Sequence, residues 1–138
     1  MRKQFGFTLM EMMITIVILG VLVGIAFPAY KSQMSSARRA LAASCVAEYA
    51  QFMERNFSTN MTYATNNGAA VALPALNCRS DLTGYYNFDL VKDASTFTVK
   101  ATPTGTQSGD VCGTLTINQL SDRTANGQSD ADTIRKCW

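Results

Sequence analysis

Histidine is absent from the 138 residues, which removes the commonest general base, the usual imidazole zinc ligands and any Ser-His or Cys-His nucleophile pair. No enzymatic activity is expected. Proline is scarce, with three residues, and tryptophan occurs once. Charge is missing from Met12 to Tyr30, nineteen residues reading MMITIVILGVLVGIAFPAY. The length admits one domain with a modest core, and 47% apolar content excludes disorder as the main state. Arg2 and Lys3 account for the net charge of +2. Beyond Gly6, ten Lys and Arg face ten Asp and Glu, so bulk electrostatics supplies no strong pull toward nucleic acid or anionic lipid.

As a helix, the uncharged run covers roughly 28 Å, close to the hydrocarbon thickness of a bilayer. It is apolar around its whole circumference, whereas a core helix of so small a protein shows a polar face. A membrane span is expected. Arg2 and Lys3 then keep the N-terminus cytoplasmic and the rest is exported. A cleaved signal peptide needs small residues in A-x-A spacing after the run. Ala26-Phe27-Pro28-Ala29-Tyr30 does not provide it, so the segment is expected to be retained. Gly20 and Gly24 form a G-x-x-x-G that admits close helix approach, and Pro28 removes a backbone donor. Glu11 is the exception at the head of the run, where an ionised carboxylate is costly unless partnered or held at the interface. A place near the positive end of the helix dipole would suit it.

Gly6-Phe7-Thr8-Leu9-Met10-Glu11, behind a basic leader and ahead of the apolar run, resembles the prepilin signature of type IV pilins and their type II secretion relatives. The resemblance implies cleavage after Gly6 by a membrane prepilin peptidase, leaving residues 1–6 as a cytoplasmic leader, and N-methylation of the new Phe7 amine. It also implies that Glu11 pairs with the Phe7 amine of a neighbouring subunit during assembly. Such a partner turns the cost of a lone charge into register selection. In related filaments the corresponding helix is intact in the membrane subunit and extended after assembly, so the resemblance implies the same for Gly20 to Pro28, with a continuous helix expected in the isolated subunit. Residues 7–30 would be the transmembrane and filament-core helix, and 31–138 the exported head.

Downstream, apolar residues recur at Tyr30, Met34, Ala37, Leu41, Cys45, Tyr49 and Phe52, with Lys31, Arg38, Arg39, Glu48 and Arg55 mostly between them. The spacing predicts an amphipathic helix continuing the membrane segment to about Asn56. Asn56 to Thr83 reads as loop, with Asn67-Gly68 as a turn signal and Pro74 as a breaker. Alternation at Tyr86/Phe88/Leu90, Phe97/Val99/Ala101 and Leu115/Ile117 predicts three antiparallel strands. Their apolar face needs the helix stripe from Leu41 to Phe52 as cover. The expected fold is α+β, a pilin-like ladle with a long N-terminal helix packed on a small antiparallel sheet. Tyr30, Arg38-Arg39, Glu48-Tyr49, Asn60 and Tyr63 also look like a subgroup of small pilins.

Cys45, Cys78, Cys112 and Cys137 would lie in an oxidising compartment, so disulfides are expected, with three pairings open. The gaps lack a C-x-x-C pair, which disfavours zinc. The pilin resemblance implies a Cys112–Cys137 bridge closing a C-terminal loop, leaving Cys45 for Cys78. A loop of that length removes about 3.5 kcal/mol of unfolded-state entropy in the simple chain model. Asp122, Thr124, Asn126, Gly127 and Asp130 match part of a calcium-loop template, but Thr133 replaces its closing Glu. A hydrophilic turn is expected, and no cofactor or metal.

The resulting reading is a non-catalytic, structural subunit of a type IV pilus, and because the short loop-rich head, the Cys112 to Ile117 segment and the closing Cys137-Trp138 look like those of minor pilins, the resemblance implies a minor one. It would serve pilus assembly and pilus-dependent motility, adhesion or DNA uptake. Its partners would be other pilins, the assembly machinery and the peptidase. It would reside in the inner membrane before assembly and in the extracellular pilus afterwards. A DNA-receptor pilin is the alternative, since some small pilins of this kind bind DNA, with Arg38, Arg39, Arg135 and Lys136 as candidate contacts. A pseudopilin of a type II secretion system is disfavoured by the cysteines around the C-terminal loop.

Overall fold

The computed structural model describes residues 6–138. Arg2, Lys3 and all of the leader except Gly6 lie outside the described residues. Helix α1 runs from Leu9 to Asn60. The chain forms two compact units, one ending at Met34 and the other running from Ser35 to Trp138.

The first unit contains the apolar part of α1. Its helix is long and apolar enough to cross a membrane, with a mean hydropathy of 2.5 over its best window. Every large apolar side chain from Phe7 to Tyr30 is 52–82% exposed, so nothing among the described residues covers this surface. The helix is unbroken through Gly20, Gly24 and Pro28. A Cβ added at either glycine would meet nothing within 4 Å. Among the described residues, nothing packs against them closely enough to require their smallness.

The second unit holds the core. Strands β1 (Thr65–Asn66) and β2 (Ala69–Ala70) form a minimal hairpin. Its Asn67-Gly68 turn has φ of 50° and 85°, the left-handed pair that suits Asn-Gly. A short helix α2 (Asn77–Asp81) follows, so the expected loop contains two small elements. A four-stranded antiparallel sheet then forms in the order β3 (Tyr86–Lys92), β4 (Phe97–Pro103), β5 (Leu115–Asn118), β6 (Arg123–Ala125). The three expected strands are present, and β6 is an addition. Helix α3 (Ala131–Cys137) closes the chain.

The buried side of α1 comprises Ala42, Ala43, Cys45, Val46, Tyr49, Ala50, Met53 and Asn56. It packs with Phe88, Phe97, Val99, Ala101, Leu115 and Ile117 from the inner face of the sheet. This stripe is rotated from the expected one. Leu41 is 38% exposed and Phe52 is half-buried, because repeated steps of four drift around a helix of 3.6 residues per turn. Helix α1 extends to Asn60, four residues beyond the expected end. There Asn56, itself buried, donates to the Thr62 and Thr65 carbonyls. Tyr63 stacks on Phe57, and its edge meets Phe97.

Leu115 is fully buried at the centre of this core. Leu115→Ala should lower the stability of the chain by about 3 kcal/mol through lost burial and a residual cavity, read as a shift in the urea midpoint followed by Trp138 fluorescence.

Candidate functional site

At the start of α1, Glu11 N–H donates to Thr8 Oγ1 at 3.3 Å, while the Glu11 carboxylate accepts from Thr8 N–H at 3.5 Å. This reciprocal arrangement is a capping box, in which two orphan donors of the first turn find partners. In the single chain the acidic side chain therefore turns toward the helix N-terminus. It lies within one turn of Phe7, which is 82% exposed. A carboxylate held here satisfies its own helix and remains open to a cation arriving from outside.

In the second unit, the densest polar cluster joins α1 to the loop after β4. Asp110 accepts two hydrogen bonds from Arg39 Nη1 at 2.9 and 3.0 Å, one from Gln107 Nε2 at 2.8 Å and one from the Cys112 amide at 2.8 Å. Ser35 Oγ donates to it at 3.2 Å. The Asp110 side chain is fully buried and that of Arg39 is 13% exposed. Burial alone would raise the Asp110 carboxyl, but the Cys112, Arg39 and Gln107 hydrogen bonds outweigh it and hold it below the usual value. Tyr86 is pushed up to about 12, first by burial and then by the Asp110 charge. Gly105 opens this loop with φ +54°, and a Cβ there would stand 2.6 Å from the Gly84 carbonyl oxygen. Only glycine fits.

Disulfides join Cys45 to Cys78 and Cys112 to Cys137. The first ties α1 to α2, and the second ties the Asp110 loop to α3. Trp138 Nε1 donates to the Thr124 carbonyl of β6.

The family described as "Type IV minor pilin ComP, DNA uptake sequence receptor" matches residues 28–116, and the prokaryotic N-terminal methylation motif matches residues 1–27. The chain belongs to this family of type IV minor pilins. Among solved structures, it is similar to a type IV pilin from Shewanella oneidensis, at 27% identity with a TM-score of 0.51, covering 70% of this chain and 98% of that one. It is also similar to the non-core minor pilin PilV of Neisseria meningitidis, at 25% identity and a TM-score of 0.50, covering 72% and 94%. No curated protein sequence matches. The minor pilin is thus a subunit of a filament family whose members assemble with other pilins and the pilus machinery, anchored by an apolar N-terminal helix.

The structure disperses the cationic candidates. Arg39 is the Asp110 partner, so its charge is already neutralised. Its Nη1 is thereby committed to the Asp110 carboxylate. Arg38 lies over the Tyr85 ring, 3.8 Å from its centroid. Arg135 and Lys136 are exposed in the last turn of α3, where they complement the helix dipole. Only Arg38 and Arg39 of the four fall within the matched residues 28–116. The calcium-template residues are also separated in function. Thr124 lies on β6 and shares a hydrogen bond with Thr116, Asp122 joins Asn118, and Asp130 caps α3 through the Thr133 amide. Among the described residues no metal-holding cluster occurs.

Sequence reading missed the Asp110 cluster, since Ser35 and Arg39 lie more than seventy residues from Asp110. Helix α3 did carry a signal, with Asp130 as N-cap, Asp132 in the first turn and Arg135-Lys136 in the last. Strand β6, three residues long, is too short to show alternation.

Asp110 stabilises the folded minor pilin in its ionised form. Because its folded pKa is depressed, this contribution is fully present above the unfolded value near 3.8 and is lost as pH falls through the lower folded value. Asp110→Ala should therefore cost about 3 kcal/mol at pH 7, where it leaves Arg39 without its partner. The gap between variant and wild type should narrow below about pH 4, measured as urea midpoints across pH.

Proposed function

We propose that this minor pilin is made as a prepilin, cut after Gly6 by a prepilin peptidase on the cytoplasmic face and methylated on the Phe7 amine. It waits in the inner membrane, N-terminus cytoplasmic, with residues 7–30 in the bilayer, and is then drawn into an extracellular filament. There Glu11 pairs with the Phe7 amine of a neighbour. Gly20 and Gly24 let adjacent helices approach, and Pro28 weakens the helix where it extends on assembly. The observation that carries this reading is the uninterrupted exposed apolar surface from Phe7 to Tyr30, headed by a single carboxylate at the helix N-terminus. In water such a surface is untenable, so hydrocarbon or other helices must cover it.

Intact mass of the membrane-extracted protein tests the processing. Wild type should lack residues 1–6 and carry one added methyl group, whereas Gly6→Leu should retain the leader. Glu11→Ala should remain in the membrane fraction and be lost from sheared filaments. Incorporation of Glu11→Ala at wild-type level would overturn the pairing.

The family description favours a second role, as a receptor for duplex DNA during uptake. Residues 28–116 hold seven Lys and Arg against six Asp and Glu, so binding would depend on the placement of a few cations rather than on overall charge. Arg38, Arg135 and Lys136 are the available members of the original set. Full-length protein in neutral detergent should retard duplex DNA at 50 mM salt. With about three phosphate contacts, raising salt to 200 mM should weaken binding by roughly 40-fold. No shift at the lower salt would eliminate this role and leave the pilin assignment intact.

A further inference from the structure

The four bonded cysteines differ in access. Cys45 is 0%, Cys112 1% and Cys137 6% exposed, whereas Cys78 is only half-buried. Cys78 stands on α2, a helix with no buried residue and no side-chain hydrogen bond at its N-cap. On either side of it the segment is tied to the core, through the Pro74 carbonyl, which accepts from the Tyr49 hydroxyl, and through the buried Leu82. The chain is therefore anchored around this bridge and bare at the bridge itself. The other bridge is built differently. Both of its residues are buried, and the Cys112 amide donates to the buried Asp110 carboxylate.

Thiol–disulfide exchange requires a thiolate to reach one sulfur while the other leaves. Burial bars both residues of Cys112–Cys137. In Cys45–Cys78 one end is closed and the other open, so exchange has a single entry and a single direction. An incoming thiolate bonds to Cys78 Sγ, the Cys45–Cys78 bond breaks, and Cys45 leaves as a thiolate that takes a proton from water. As a thiol, Cys45 is a small apolar side chain suited to the core. One charge touches the entry point, since Glu48 Oε2 lies 3.9 Å from Cys78 Sγ. Arg79, the next residue along the chain, is set against the Tyr49 hydroxyl. The Glu48 carboxylate therefore opposes the approach of a thiolate and slows it.

We propose that Cys45–Cys78 is a reversible exchange site for a dithiol oxidoreductase of the exported compartment, entered at Cys78 Sγ and restrained by Glu48, while Cys112–Cys137 stays closed. The second thiol of the reductant attacks its own sulfur in the mixed disulfide, releases Cys78 as a thiol and leaves the reductant oxidised, so two electrons pass to the pilin. Opening unfastens α2 from α1 and leaves the sheet in place. Only the native pair can reclose, because the other two cysteines remain bonded. The compartment belongs to the function proposed above, whereas the exchange is a property of the purified chain and is tested without it.

The test uses the full chain in neutral detergent without denaturant. Dithiothreitol is added for graded times, acid stops the exchange, and labelled thiols are located by peptide mass mapping. Cys45 and Cys78 should be labelled at least about tenfold faster than Cys112 and Cys137. Glu48→Gln, an exposed change, should speed the opening about fivefold at low salt, and the gain should shrink in 1 M salt. A Cys-x-x-Cys oxidoreductase whose second cysteine is replaced by serine should be trapped on Cys78. Equal labelling of all four cysteines, labelling of Cys112 and Cys137 first, or no labelling without denaturant would overturn the site. Trapping on Cys45 would overturn the direction of entry, and an unchanged rate in Glu48→Gln would overturn the role of that carboxylate.

Discussion

The chain carries an apolar surface that it cannot bury by itself. From Phe7 to Tyr30 every large apolar side chain is exposed among the described residues. This constraint makes the protein dependent first on lipid and then on other helices. The same surface gives Glu11 its meaning. Within the chain its carboxylate completes a cap with Thr8, a modest role that any acidic N3 residue fills. At the head of an apolar surface, the same charge is costly to bury unless a group of opposite sign meets it.

The head solves a different problem, holding a small sheet against one helix with few residues. Tyr49, Val46 and Met53 supply the helix side of the core, and Phe97, Val99 and Leu115 much of the sheet side. The irregular segments are then pinned at discrete points. Cys45–Cys78 fixes the segment before β3, and Cys112–Cys137 fixes the C-terminal helix. The Arg39–Asp110 pair fixes the loop after β4, next to Cys112. At the β6 edge the Trp138 indole N–H donates to the Thr124 carbonyl.

Legibility in the sequence followed the range of the interactions. The uncharged run, the Gly6 to Glu11 signature and the alternating strands β3, β4 and β5 are local patterns, and each marks its own element. The helix stripe was readable as amphipathic, but its exact face was not, since Leu41 and Cys45 look equally apolar and only the sheet decides which is covered. The Asp110 cluster was not readable, because Ser35 and Arg39 lie 75 and 71 residues from Asp110 and only the tertiary fold brings them together. Arg38-Arg39 illustrates the limit. Two adjacent arginines look like one basic patch, yet one stacks on Tyr85 and the other is sealed against a buried aspartate.

The order of the bridges along the chain has a bearing on biogenesis. Each cysteine is joined to the next one in sequence, Cys45 to Cys78 and Cys112 to Cys137, with neither loop enclosing the other. A polypeptide threaded across a membrane from its anchored end presents these thiols in that same order. An oxidase that couples thiols as they emerge would thus make the native set directly, and this subunit would mature without a shuffling isomerase.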